Sequence, residues 1–412
     1  MPIVRPLLKL SIGCKSFGLS LIDNIEFPLE EVTVAKWLKE QKGYHTAIFG
    51  KWHLGQRPIY LPGNHGFDYY LGIPFSDDMG DGVASSCQND TIGKQEELNA
   101  NKRQIGKGGW SSCEQYRDYD ESVISNQTCQ ATLDDPAGHW LPLVHQIHNK
   151  TTILEQPLDF TTLAEKYSAF ATDFIDKHAT QPFFLYAPFS HVHTTSATQP
   201  EKQFAGCSYQ NKTKRGSFGN ALAELDGIVG AIVNKLTSLD LMEDTLIILA
   251  ADNGPWVEQG LSAGSAGLLT GQYADYTNTA KGSTWEGGIR VPSFVHWKGV
   301  IPPYSRSSEV LSSLDVFPTL SALAGIEGLP TGREMDGKDH TLLWLDDTNQ
   351  VTTQHEFLFH YGSCHLDKNK NESTPVGISA VRHGKYKAHF CTSPGLGGNF
   401  NLTIAMESWK KV

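Results

Sequence analysis

Residues 43–55 read GYHTAIFGKWHLG. The apolar, β-branched and aromatic run from Tyr44 to Phe49 has the composition of a short buried strand, closed by Gly50. Lys51 and His53 then follow two residues apart, on one side of an extended segment. The carboxyl end of a strand is where open α/β sheets build their sites, and here it carries a cation and an imidazole together. Upstream, residues 29–40 (LEEVTVAKWLKE) have the spacing of a helix, with Glu30 and Glu31 in a first turn that favours acids. Helix followed by buried strand is the unit whose recurrence decides the fold.

It recurs twice. Residues 162–176 pair Thr162 with Glu165 as a capping box and carry Leu163, Tyr167, Phe170, Phe174 and Ile175 as a helical stripe; PFFLYAP (182–188) follows as a buried strand. Residues 221–236 align Leu222, Leu225, Val229, Ile232 and Leu236 on one face, and DTLIILAA (244–251) is the next apolar strand. Strands apolar on both faces, alternating with helices, predict an α/β domain built on a mostly parallel sheet covered by helices on both sides. Residues 74–157, rich in Gly, Asn, Asp, Ser and Gln, are expected to be a long surface excursion with little regular structure.

Past residue 300 the chain becomes turn-rich (IPPYSRSSEV). A helix is expected at 314–325, stopped by Gly325. Short antiparallel strands are expected at 356–361 and in VGISAVR and KYKAHF, joined at His383-Gly384. The expected division is a domain at 1–304 and a smaller α+β domain with an antiparallel sheet at 305–412.

The net charge of −11 over 412 residues, with no Lys/Arg run, argues against a nucleic-acid partner. No segment has the length and apolarity of a transmembrane helix. The N-terminal stretch is interrupted by Lys9 and Lys15 and does not read as a signal peptide. Six N-x-S/T sequons occur nevertheless, at Asn89, Asn126, Asn149, Asn211, Asn371 and Asn401, where chance gives about two. They point to glycosylation in the secretory pathway. Seven cysteines fit that compartment: Cys87, Cys113 and Cys129 cluster with room for a disulfide, and the odd total leaves at least one unpaired within the chain.

The chemistry collects beyond three strands. The first delivers Lys51 and His53; the second is followed by Ser190, His191 and His193; the third ends in Asp252, Asn253 and Gly254. Asp252 and Asn253 offer hard oxygen ligands suited to Ca²⁺ or Mg²⁺. His191 and His193 alternate along an extended segment, so one of them faces a given pocket. Lys281 precedes the Gly287-Gly288 pair, with Glu286 and Arg290 placed to form an ion pair. Lysines, histidines and a metal pair suit a concentrated oxyanion, a sulfate or phosphate ester.

The run GYHTAIFGKWHLG resembles the second signature of the sulfatases. ADNGP (251–255) resembles the metal-binding strand end of that family, and KGSTWEGGIRVP (281–292) its lysine-bearing segment. HGFDYYLGIPFSDDMG (65–80) and HGKYKAHF (383–390) are similar to the arylsulfatase A-like branch, and the likeness runs with gaps from about residue 28 to 390. The resemblance implies an alkaline-phosphatase-like fold with a small C-terminal domain, and an arylsulfatase-type sulfuric ester hydrolase working through a formylglycine sulfo-enzyme. It implies Lys51 on a sulfate oxygen and on the nucleophile, His53 as the base resolving the intermediate, and His193 beside sulfate and the leaving oxygen. Lys281 would neutralise that oxygen, Ser76 and His191 would bind substrate, and Asp252 and Asn253 would hold half of a Ca²⁺ site. The implied partner is a sulfated small molecule, glycolipid or glycan. The implied location is the lysosome or the cell exterior, and an oligomer is compatible with it.

The sequence departs from the family at two points. Formylglycine arises from the cysteine of a C-x-P-S-R motif upstream of GKWHLG, but Cys14 is followed by Lys15-Ser16-Phe17-Gly18. The paired aspartates expected on the first strand are missing, and Asp77-Asp78, Asp134-Asp135 and Asp346-Asp347 come too late in chain order. The expectation is therefore a sequence that starts just after the nucleophile, stops before the family's usual end, and is inactive as written. The competing class is a non-catalytic sulfatase-like protein that binds sulfated ligands or a partner.

Overall fold

The computed structural model describes residues 27–84, 103–105, 140–195, 203–269, 279–332, 334–345, 355–363, 376–390 and 410–411. The chain divides into two compact units, Asn24–Leu241 and one containing Met242–Val412. That boundary lies earlier in the chain than the change of character near residue 304.

The first unit contains β1 (His45–Lys51), β2 (Tyr69–Ile73), β3 (Gly82–Ala84), β4 (Arg103–Ile105), β5 (Leu143–Ile147), β6 (Lys150–Glu155) and β7 (Phe183–Tyr186), with helices α1 (Val34–Lys42), α2 (Leu163–Lys177) and α3 (Gly216–Ser238). Its main sheet has the order β6-β5-β2-β1-β7. β1 runs parallel to both β2 and β7, and β5 and β6 add an antiparallel hairpin. The pleat sorts the apolar residues to two faces. Phe49, Leu71 and Ile73 pack with Leu163, Tyr167 and Ala171 of α2 and Ile228 of α3. Ile48, Tyr70 and Val144 pack with Ala35 of α1, Trp52, Leu61 and Phe67. Each fully buried large side chain contributes about 2–3 kcal/mol, so the two-sided core fixes which way β1 faces.

Local chemistry shifts several expected boundaries. Thr33, whose hydroxyl accepts from Lys36 N at 3.0 Å, caps α1, so Glu30 and Glu31 lie before the helix. The box of Thr162 and Glu165 does not form. Asp159 caps the preceding turn through Thr161 N (3.1 Å), and the Thr162 hydroxyl bonds back to Asp159 O. The excursion at 74–157 contains the β5–β6 hairpin, whose turn exposes Asn149. β7 is half-buried rather than enclosed, since among the described residues only β1 pairs with it.

In the second unit β8 (Ile247–Ala250) pairs antiparallel with β9 (Ser293–His296), its one strand partner among the described residues. The short helices α4 (Glu286–Ile289), α5 (Val316–Leu323) and α6 (Thr341–Leu345) follow. β10 (Leu358–Ser363), β11 (Val376–His383), β12 (Tyr386–His389) and β13 (Lys410–Lys411) form an antiparallel sheet in that order. Gly325, at φ 66°, ends the α5 segment as expected. The fold is the expected α/β architecture with a small antiparallel sheet. No helix among the described residues is long and apolar enough to cross a membrane.

Candidate functional site

In the first unit, Gly50 sets the geometry. It sits at φ 114°, and a Cβ on it would lie 2.0 Å from Pro188 O. Only glycine lets the end of β1 approach the segment after β7 this closely. Lys51, in register with Ile73, donates its N–H to Pro188 O at 2.8 Å. The next two amides donate across to the end of β2: Trp52 N to Ile73 O and His53 N to Pro74 O, both 2.9 Å. Lys51 and His53 are therefore stitched between the exits of β2 and β7, and both are half-buried.

The segments that follow β2 and β7 carry a set of enclosed polar groups. Ser76 is buried and its hydroxyl has no hydrogen-bond partner. Ser190 Oγ is 3.1 Å from the Tyr167 hydroxyl. His191 is buried with Nε2 2.9 Å from Glu224 Oε2, and Glu224 Oε1 accepts Gly206 N at 2.8 Å. The pair fixes the ring and leaves Nδ1 without a partner. His193 is half-buried, with Nδ1 2.7 Å from Thr194 O. Asp77 is the group sequence reasoning missed. It is fully buried, and neither carboxylate oxygen closes a hydrogen bond. Burial pushes its pKa up to about 8, with the Lys51 charge opposing, Asp78 adding to the rise, and the nearby Ser190 hydroxyl, short of a well-formed hydrogen bond, lowering it a little. The signal was Ser-Asp-Asp directly beyond β2, which chain order alone had set aside.

The second unit gathers a separate set. Asp252 and Asn253 form a bend after β8, the former exposed and the latter half-buried. Gly254 N donates to Gly288 O at 2.8 Å, and a Cβ on Gly254 would lie 1.8 Å from Gly287 O. Lys281 N donates to Pro255 O at 3.0 Å, and its ammonium lies 5.4 Å from the Trp256 ring centroid. The two motifs thus pack as one piece and bring Lys281 beside the Asp252-Asn253 bend. A carboxylate and an amide oxygen suit a hard cation such as Ca²⁺, but a full shell takes six to eight oxygens, so these two supply part of one. The expected Glu286–Arg290 pair does not form. Glu286 instead accepts from Arg382 (3.3 Å) and the buried Lys387 (3.1 Å), while Arg290 is exposed. Burial lowers the Lys387 pKa to about 8 against the pull of Glu286.

Of the sequons, Asn149 and Asn211 occupy exposed turns. Asn89, Asn126, Asn371 and Asn401 lie outside the described residues, as do Cys87, Cys113 and Cys129. Cys207 is disulfide-bonded.

Comparison with known proteins bears on these clusters. The sulfatase family profile matches residues 15–326. Arylsulfatase G of Rattus norvegicus is 34% identical over 370 residues, covering 89% of this chain and 61% of that protein. Arylsulfatase A of Bos taurus is 36% identical over 369 residues, covering 89% and 59%. The chain thus spans about three-fifths of the length of these relatives. Among solved structures, the PsFucS1 sulfatase from Pseudoalteromonas sp. shares the fold with TM-score 0.62 at 24% identity, covering 89% of this chain and 62% of that one.

Proposed function

Because the chain belongs to the sulfatase family, we propose that its residues serve the hydrolysis of a sulfate ester in an arylsulfatase-type reaction. The observation that carries the reading is the convergence of Lys51, His53, Ser76, His191 and His193 at the carboxyl ends of β1, β2 and β7, on the motifs that resemble the family's. Lys51 holds a sulfate oxygen as a point charge. Ser76, with its free buried hydroxyl, and His191, oriented by Glu224, bind the ester group. His193 contacts sulfate near the leaving oxygen; for Lys281 the role is the one that the resemblance of its own segment implies, neutralising charge on a leaving oxygen. His53 is the base that takes up a proton after sulfate transfer.

Asp252 and Asn253 would hold Ca²⁺, which when bound supplies further charge neutralisation. The formylglycine nucleophile belongs to the same reading, but no C-x-P-S-R run occurs in these 412 residues, so no turnover is expected from them alone. The functional division at 304/305 is also part of the proposal. A lysosomal or secreted setting is supported by the exposed sequons at Asn149 and Asn211 and by the disulfide at Cys207. The substrate class proposed is a sulfated small molecule, glycolipid or glycan.

Calorimetric titration of the purified chain with an aryl sulfate, competed by inorganic sulfate, tests the reading. Binding is expected, with affinity at least about 10-fold weaker in Lys51→Met. Absence of binding, or equal binding by the variant, counts against it.

A further inference from the structure

The second unit holds a buried cluster that the sulfatase reading does not use. Asp315, His340 and His355 are each more than nine-tenths buried, and one ligand atom from each lies within 4.8 Å of the others. His355 Nε2 is 2.7 Å from Asp315 Oδ1, and His340 Nε2 is 3.2 Å from Oδ2. We propose that these three residues form a binding site for a divalent first-row transition ion, Zn²⁺ in the first instance, distinct from the calcium ligands Asp252 and Asn253.

Three observations carry the proposal. The first is the donor set. Two imidazoles and one carboxylate suit Zn²⁺ and its neighbours, whereas Ca²⁺ selects oxygen. The second is an orphan. His340 is 1% exposed; its Nε2 reaches Asp315 Oδ2 only at 3.2 Å, and its Nδ1 has no partner at all. A buried polar group left unsatisfied costs about 1–3 kcal/mol. The capping box with Ser312 on the turn that leads into α5 needs only Asp315, and an orienting partner for Asp315 needs only His355; neither role accounts for the second imidazole. A metal ion bonded to His340 does.

The third is the support around the ligands. Asp315 Oδ2 accepts Ser312 N at 2.7 Å and Oδ1 accepts Lys338 N at 2.8 Å. These amides fix the carboxylate plane and leave its remaining lone pairs toward the histidines. Thr319 Oγ1 donates to Asp315 O (2.7 Å) and accepts His340 N (3.0 Å), tying the two ligand backbones together. Ligand atoms around Zn²⁺ sit about 2.0–2.1 Å from the ion, so small rotations of two rings convert the present spacing into coordination. Binding replaces the His355–Asp315 hydrogen bond: a neutral imidazole presents Nε2 to the ion by carrying its one ring proton on Nδ1, so no proton need leave. The ion would tie the start of α5 to the 338–340 segment and to His355, a structural role.

The test uses the purified chain after dialysis against chelator, reloaded with Zn²⁺ or Co²⁺ in excess Ca²⁺. One Co²⁺ per chain with the visible bands of a tetrahedral nitrogen–oxygen site is expected, displaced by Zn²⁺ and not by Ca²⁺. His340→Gln should weaken that binding at least about 100-fold, while Asp252→Asn leaves it unchanged. X-ray absorption of the Zn²⁺-loaded wild type, which needs no variant to fold, should show imidazole scattering with nitrogen and oxygen at about 2.0 Å. A sulfur shell, binding untouched by His340→Gln, or no stoichiometric uptake would overturn the proposal and leave the cluster as a hydrogen-bonded cap.

Discussion

Asp77→Asn probes the enclosed corner beside Lys51. The wild-type carboxyl is fully buried and its pKa is pushed up from 3.8 to about 8, mainly by burial. The folded state therefore keeps a proton that the unfolded chain releases near pH 4. Between those values the folded protein binds more protons than the unfolded one, and stability falls as pH rises, by about 1.4 kcal/mol per pH unit. Asparagine has nearly the same shape and does not titrate. Whatever constant cost its amide carries cancels when two pH values are compared. Relative to wild type, the variant should thus gain about 2–3 kcal/mol between pH 5 and pH 7, a large part of the ~5–15 kcal/mol that holds a domain together. Urea unfolding of both proteins at those pH values, followed by tryptophan fluorescence, gives the difference. Parallel stability–pH curves would refute the reasoning, since they would mean the carboxyl is hydrated or paired. The same protonation bears on the proposed function: below about pH 7 a neutral Asp77 does not offset the Lys51 charge, which suits the anionic ester proposed above.

Other perturbations separate scaffold from chemistry. Gly50→Ala places a Cβ 2.0 Å from Pro188 O at φ 114° and should cost more than about 2 kcal/mol in chemical denaturation. Glu224→Ala removes the buried partner of His191 and should destabilise by about 3 kcal/mol; Glu224→Gln, which can still accept from Gly206 N, should lose less. Phe49→Ala empties a fully buried position packed against Tyr167 and should cost about 3–5 kcal/mol. Glu286→Gln removes the anion that supports Lys387, so the Lys387 pKa, already lowered to about 8, should fall further; the pH dependence of lysine acylation measures it.

Much of the architecture was legible because the strands carry unbroken apolar runs and the helices keep a 3.6-residue stripe. Lys51, His53, His191 and His193 stood out because each follows such a run. What escaped reading depends on partners far apart in sequence. β6 alternates, with Thr151 buried between exposed Lys150 and Thr152, but its polar composition disguised a strand that Gln146 stabilises through the Thr151 hydroxyl (2.9 Å). Glu286 was matched to its sequence neighbour Arg290, whereas its cations come from β11 and β12, about a hundred residues away. Thr162 looked like a cap by spacing, yet its hydroxyl turns back to Asp159 O, and Asp159 caps the turn before it through Thr161 N. Asp77 could not be weighted from sequence, because its unusual proton affinity comes from complete burial beside Lys51.

The most direct measurement of the central claim is sulfate release from an aryl sulfate by this chain carrying an added C-x-P-S-R segment with its Asp-Asp strand. Mass spectrometry would establish formylglycine in the preparation. The account predicts turnover that falls at least about 100-fold in Lys51→Ala. Formylglycine-bearing protein that leaves a broad panel of sulfate esters intact, or an alanine variant as active as the parent, would contradict it.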